Sequence, residues 1–143
     1  MNYKTVEENL RVDEGEKHDV YLDTAMNPTV GIGHKIRPNE VLKLGDTITG
    51  EQIIDFFRHD LLHAEIGARN SLKRFEELPS EIQNVLVEMC FNLGTAGLRK
   101  FKKMLNAADN FDWAMMADEL LDSKAARDLP KRYIKYANRI KGV

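Results

Sequence analysis

The sequence predicts an α+β fold: a small antiparallel sheet lobe and a larger helical lobe, joined by one long helix. Three observations carry this. From Val20 to Ile36 the character changes: Val20 and Leu22 alternate with polar residues, and Thr29, Val30 and Ile32 are β-formers. From Ile53 to Ala68, and again from Ile82 to Leu93, apolar residues recur at helical spacing. A chain of 143 residues is one domain by length, and it can bury roughly two-thirds of its unfolded surface.

Each element has a local reason. Thr5 and Glu8 form a capping-box pair that starts a first helix, whose apolar stripe of Val6, Leu10 and Val12 is narrow. Gly15 stands where a helix stops, which places Glu14 in the last turn. Ala25-Met26-Asn27-Pro28 is a turn signal between strands. A hairpin or three-stranded sheet is therefore expected, with Asp23 where the first strand enters its turn. Thr49 and Gln52 form a second capping box. It launches a helix to about residue 72, with Ile53, Phe56, Phe57, Leu61, Ala64 and Ala68 as its apolar positions. Glu77-Leu78-Pro79-Ser80 breaks that helix. Ser80 is the expected cap of the next one, with Gln83 at the box position. Ile82, Val85, Leu86, Met89, Cys90 and Leu93 make this the core helix, and Gly94 ends it. Shorter helices are expected at about 98–107 and 110–122, and a last one from Pro130, since proline suits a first turn. The single domain 1–143 then comprises a sheet lobe at about 15–49, a connecting helix at about 50–72, and a helical lobe at about 73–143 that also takes the helix at 5–14.

Composition excludes several classes. Hydrophobic residues at 43% and charged residues at 31% describe an ordinary soluble globule. No run of about 18 apolar residues exists, so no transmembrane helix and no membrane partner are expected. The first eight residues are acidic and lack the apolar core of a secretory signal. The lone cysteine, Cys90, excludes an internal disulfide and reads as a buried structural thiol. The net charge of −2 is uneven: residues 1–71 carry −5 and residues 72–143 carry +3. The basic excess lies in Arg99-Lys100-Phe101-Lys102-Lys103 and in Lys131, Arg132, Lys135, Arg139 and Lys141. Such a half attracts a polyanion, either cell wall or nucleic acid, and it equally describes a solvated basic face.

Chemistry enters at the N-terminal frame. Glu14 and Asp23 have eight residues between them, and Thr29 follows after five more. A carboxylic acid that protonates a leaving oxygen and a carboxylate that activates water are the parts of glycosidic hydrolysis. The negative potential at a helix C-terminus favours a protonated Glu14. Backbone donors in a turn favour an ionised Asp23. Taken singly these are a helix-end carboxylate, a turn residue and a strand residue in a chain with 23 acidic residues, so the frame must carry the argument. Gly31-Ile32-Gly33 does not complete a dinucleotide fingerprint, because Ile36 stands where the third glycine belongs; close backbone packing or a bend is expected instead. His59 and His63 have a ligand spacing, but Asp60 occupies the position of the required glutamate, so no metal is expected. His34 is expected to pair with a carboxylate such as Asp60.

Asp13-Glu14-Gly15, Tyr21-Leu22-Asp23-Thr24 and Thr29-Val30-Gly31-Ile32-Gly33-His34, in this order and spacing, resemble the lysozymes of T-even and related tailed phages, glycoside hydrolase family 24. Met89-Cys90-Phe91-Asn92-Leu93-Gly94 with Gly97 and Phe101, then Trp113, Ser123, Pro130 and Arg132, extend the likeness over most of the chain. The resemblance implies a lysozyme-like fold with a cleft between its lobes. It implies an inverting muramidase that cuts the β-1,4 bond between N-acetylmuramic acid and N-acetylglucosamine. Glu14 is then the general acid, Asp23 the base and Thr29 the residue that orients water. Lys35 and Phe91 take substrate-binding positions, and Arg132 approaches Glu14. The expected partner is bacterial peptidoglycan, met by a monomer without cofactor, metal or nucleic acid. The expected setting is phage lysis, with accumulation in the host cytoplasm. A cell-wall-binding or tail structural module with little activity is the alternative. Ala125 and Asp128-Leu129 stand where the family commonly has a tryptophan and a Gln-Thr pair, and Met104 and Glu119 replace polar or neutral cleft positions of its best-known member. The family's sheet-lobe hairpin and final helix are expected to be trimmed.

Overall fold

The computed structural model describes residues 1–143. Helix α1 spans Tyr3–Glu14. Strands β1 (Lys17–Leu22), β2 (Pro28–Gly31) and β3 (His34–Lys35) follow, then helix α2 (Gly50–Ser71). After a 3-10 turn at Phe75–Glu77 come α3 (Ser80–Arg99), α4 (Lys102–Asp109), α5 (Trp113–Leu121), α6 (Lys124–Asp128) and α7 (Pro130–Lys141). The α+β class and the small antiparallel sheet are as the sequence predicts. The chain forms two compact units, one of Glu7–His63 and one of Met1–Val6 with Ala64–Val143. Most of α1, including Glu14, therefore groups with the sheet, whereas the sequence assigns the whole helix to the helical lobe.

In the unit Glu7–His63 the sheet has the order β1-β2-β3. Tyr21 pairs with Thr29 and Leu22 with Pro28; Thr29 also pairs with Lys35, and Val30 with His34. A bulge between Lys17 and Tyr21 shifts the register of β1. The outer edge of β1 is occupied by a loop. Ile48 N–H donates to His18 at 2.9 Å, and Val20 N–H donates to Asp46 at 2.8 Å. That pairing covers what is otherwise an open sheet edge. Val20, Val30, Ile32, Ile48, Ile53, Phe57 and Leu61 are buried. The Thr49–Gln52 capping box is reciprocal: Thr49 N–H donates to Gln52 Oε1 at 2.8 Å, and Gln52 N–H donates to Thr49 Oγ1 at 3.2 Å.

In the second unit, α3 is buried from Ile82 to Cys90, with the polar side chains of Gln83, Asn84 and Glu88 enclosed among apolar ones. Helix α5 packs on α4 and α7, and α7 also packs on α3 and α6. Arg139 on α7 makes a bidentate pair with Glu88, both bonds at 2.9 Å, and also reaches Glu81. It therefore does not belong to the polyanion-attracting surface that the sequence suggested. Cys90 is buried, as expected.

Several local expectations are corrected. Helix α1 starts at Tyr3, because the Asn2 carbonyl group of the side chain accepts Thr5 N–H at 3.1 Å and so does the capping assigned to Thr5. Val12 is exposed. Ser80 is not a cap: Pro79 precedes α3 with no side-chain cap bond. Gln83 instead donates to the Phe75 carbonyl at 2.8 Å and accepts the N-terminal ammonium. Gly94, non-helical at φ 75 and ψ 166, ends the first stretch of α3 as expected, and a second helical stretch follows it to Arg99. Helix α6 was not separately expected; Ser123 caps it by accepting Ala126 N–H at 3.1 Å.

Candidate active site

Glu14 closes α1, and Gly15 follows at φ +69 with its N–H bonded to Arg11 at 3.0 Å. The turn between β2 and β3 presses on the Glu14 side chain. A Cβ at Gly33 would lie 2.8 Å from Glu14 Oε2 and 2.9 Å from its Cγ. Gly33 also has φ +64, so backbone conformation and space both demand glycine. This is the close packing expected of Gly31-Ile32-Gly33.

Cross-strand pairing assembles the rest. Residues directly opposite in an antiparallel ladder share a face. Tyr21, Thr29 and Lys35 therefore form one row across the three strands. Burial, then the charges of Glu14 and Asp23, push the Tyr21 phenol up. Tyr21 thus lies near both carboxylates, with Lys17 Nζ 4.3 Å from its ring centroid.

Asp23 sits in the turn after β1. Its Oδ1 accepts Asn27 N–H at 2.8 Å and Ala25 N–H at 2.9 Å, and its Oδ2 accepts the Asn27 side-chain amide at 3.3 Å. Burial pushes the carboxyl up, but these bonds and the charge of Lys35 outweigh it and hold Asp23 below its ordinary value. An ionised Asp23 suits a base. Thr29 is 2% exposed, and its hydroxyl donates to the Asn27 carbonyl at 2.9 Å.

His34 pairs with Asp60 as expected, Nδ1 to Oδ2 at 2.7 Å. Its Nε2 also faces both oxygens of Glu40 at 3.0 Å, and its ring stacks on Phe56 at 3.9 Å. Burial opposes the charged ring, but Asp60 and Glu40 together raise the His34 pKa.

One unit thus brings together Glu14, Asp23, Thr29 and Lys35. Phe91 is half-buried on α3 in the other unit. Sequence reasoning missed Tyr21, Asn27 and Glu40. Strand alternation could have found Tyr21, two residues before Asp23; the Asp-to-Asn turn spacing could have found Asn27. No group of three or more His, Cys, Asp or Glu side chains is placed to hold a metal ion. In the second unit a cavity of about 700 Å³ is lined by Phe101, Met104, Glu119, Ala125 and Asp128 among others.

The phage lysozyme family model matches residues 11–132. The chain belongs to the phage lysozyme family. As a member it is a lysozyme-like glycoside hydrolase. It is 32% identical to the probable T4-type lysozyme 2 of Dictyostelium discoideum, over 86% of this chain and 85% of that protein. It is 34% identical to the endolysin of Salmonella phage P22, over 86% of each chain. It is also 33% identical to the pre-baseplate central spike protein Gp5 of Enterobacteria phage T4, over 74% of this chain and 22% of that longer protein. This phage lysozyme family member has no helix long and apolar enough to cross a membrane.

Proposed function

We propose that this protein hydrolyses the β-1,4 bond between N-acetylmuramic acid and N-acetylglucosamine in bacterial peptidoglycan, acting as a monomer with inversion. Glu14 gives its proton to the leaving oxygen of N-acetylglucosamine. Water attacks C1 of N-acetylmuramic acid, and Asp23 takes the water proton. Thr29 orients that water, and Lys35 and Phe91 contact substrate. The observation that carries this reading is the gathering of Glu14, Asp23 and Thr29 about Tyr21, with Asp23 held as a carboxylate by the turn. Inversion requires the two carboxyl groups roughly 6.5–9.5 Å apart, with a water between.

The endolysin relative supports a setting in phage lysis. The likeness to a pre-baseplate central spike protein supports a second setting, in a phage tail that meets the wall. The test is turbidity clearing of outer-membrane-permeabilised cells by wild type beside Glu14→Gln. Clearing by wild type alone is expected. Clearing by both removes Glu14 from the mechanism, and clearing by neither favours a binding module.

A further inference from the structure

We propose that Asn27 is a positioning residue that aims Asp23 and Thr29 at a single water, with its two N–H groups on the Asp23 carboxylate and its carbonyl on the Thr29 hydroxyl. The proposal rests on the roles given to Asp23 and Thr29 above.

Asn27 touches both residues with three of its own groups, in four hydrogen bonds. Its backbone N–H donates to Asp23 Oδ1 at 2.8 Å, and its side-chain amide donates to Oδ2 at 3.3 Å. Its carbonyl accepts Asp23 N–H at 3.0 Å and the Thr29 hydroxyl at 2.9 Å. Met26, just before it, adopts φ 65, and its N–H donates to the Asp23 carbonyl at 3.0 Å. This left-handed residue turns the Asn27 N–H back towards the carboxylate. Few residues other than glycine take that conformation, so the loop holds a strained geometry around Asp23.

The direction of the Thr29 bond matters for the chemistry. A carbonyl can only accept, so the Thr29 hydroxyl donates its one proton to Asn27. Its oxygen is then an acceptor towards anything else that approaches. Asp23, as a carboxylate, is likewise an acceptor only. A water held between them points one proton at each. Its lone pairs are left for the anomeric carbon. Were Thr29 to donate to that water, it would draw electron density from the attacking oxygen instead of helping to aim it. Asn27 therefore sets the polarity of one partner and the charge of the other.

The test uses Asn27→Ala and Asn27→Asp in the full chain. Asn27→Ala keeps the backbone bonds and removes only the side-chain amide. Asn27→Asp sets a like charge beside Asp23. Two readouts follow Asp23: the acid limb of the pH profile of kcat/KM, and its carboxyl titration by carbon-13 NMR. Both should move up together, by about one pH unit in Asn27→Asp and by less in Asn27→Ala. At mildly acid pH kcat should fall with KM unchanged. A merely structural role would lower thermal stability and leave both titrations in place. Unmoved titrations in the folded variants overturn the proposal, as does a rise in KM at constant kcat. If Asn27→Asp does not fold, Asn27→Ala decides alone. An Asp23→Asn protein that clears cells like wild type removes the base itself. A moved NMR titration then marks a turn of structural value only, so failure of the mechanism and failure of the Asn27 role remain distinct.

Discussion

His34→Asn should destabilise the protein, and the loss should be largest at acid to neutral pH. The ring is 3% exposed and lies between two carboxylates, Asp60 at 2.7 Å and Glu40 at 3.0 Å. Both ring nitrogens must carry protons to donate to both partners, so this geometry fits the imidazolium. A hydrogen bond to a charged group contributes about 1.5–3 kcal/mol. Two such bonds, reduced by the cost of burying the charge, leave a net contribution of about 2–4 kcal/mol. Asp60 and Glu40 are 16% and 20% exposed, so solvent screens them little. The sign follows from the raised pKa of folded His34. Its unfolded value is about 6.5. The stabilisation is therefore fully present below about pH 6.5 and is lost as pH rises through the higher folded-state value. Urea unfolding of wild type and His34→Asn between about pH 5.5 and pH 9 measures the difference. The gap should be widest at the acid end and shrink towards pH 9. A gap that stays constant over this range would refute the charged-ring account.

Three other outcomes follow. Gly33→Ala combines a left-handed backbone, costing about 1–2 kcal/mol, with a methyl pressed into Glu14; its activity should fall by much more than its melting temperature suggests. Arg139→Met leaves Glu88 fully buried without its bidentate partner, which should cost about 3–5 kcal/mol in denaturant unfolding, and adding Glu88→Leu should recover most of it. Thr49→Ala breaks one half of the capping box at the start of α2 and should cost about 1 kcal/mol, read by the same method.

What the sequence made legible was chemistry decided within a few residues. Gly15 ending α1, the Thr49–Gln52 box and Pro130 opening α7 depend on groups three or four positions apart, so local pattern suffices. The strand pattern placed Asp23 at its turn for the same reason. Most of the misses depend on partners far away in sequence; the Asn2 cap is a local exception. Ser80 and Gln83 match a capping box, yet Gln83 is drawn to the Phe75 carbonyl and the chain's own N-terminus. Asn2 takes over a cap because its side chain reaches Thr5 first. Arg139 looks like a surface cation until Glu88 and Glu81 are placed beside it. At the site, the frame of Glu14, Asp23 and Thr29 was readable as a motif. The contact of Gly33 with Glu14, and the hold of Asn27 on two site residues at once, needed the folded backbone.

The central claim is hydrolysis at C1 of N-acetylmuramic acid, driven by Glu14 and Asp23. Digestion of purified peptidoglycan in oxygen-18 water, read by mass spectrometry of the soluble fragments, tests it most directly. Wild type should give one labelled oxygen at a new N-acetylmuramic acid reducing end, and Glu14→Gln or Asp23→Asn should give no such fragment. Unlabelled anhydro ends, a label on N-acetylglucosamine, or undiminished labelling by either variant would contradict it.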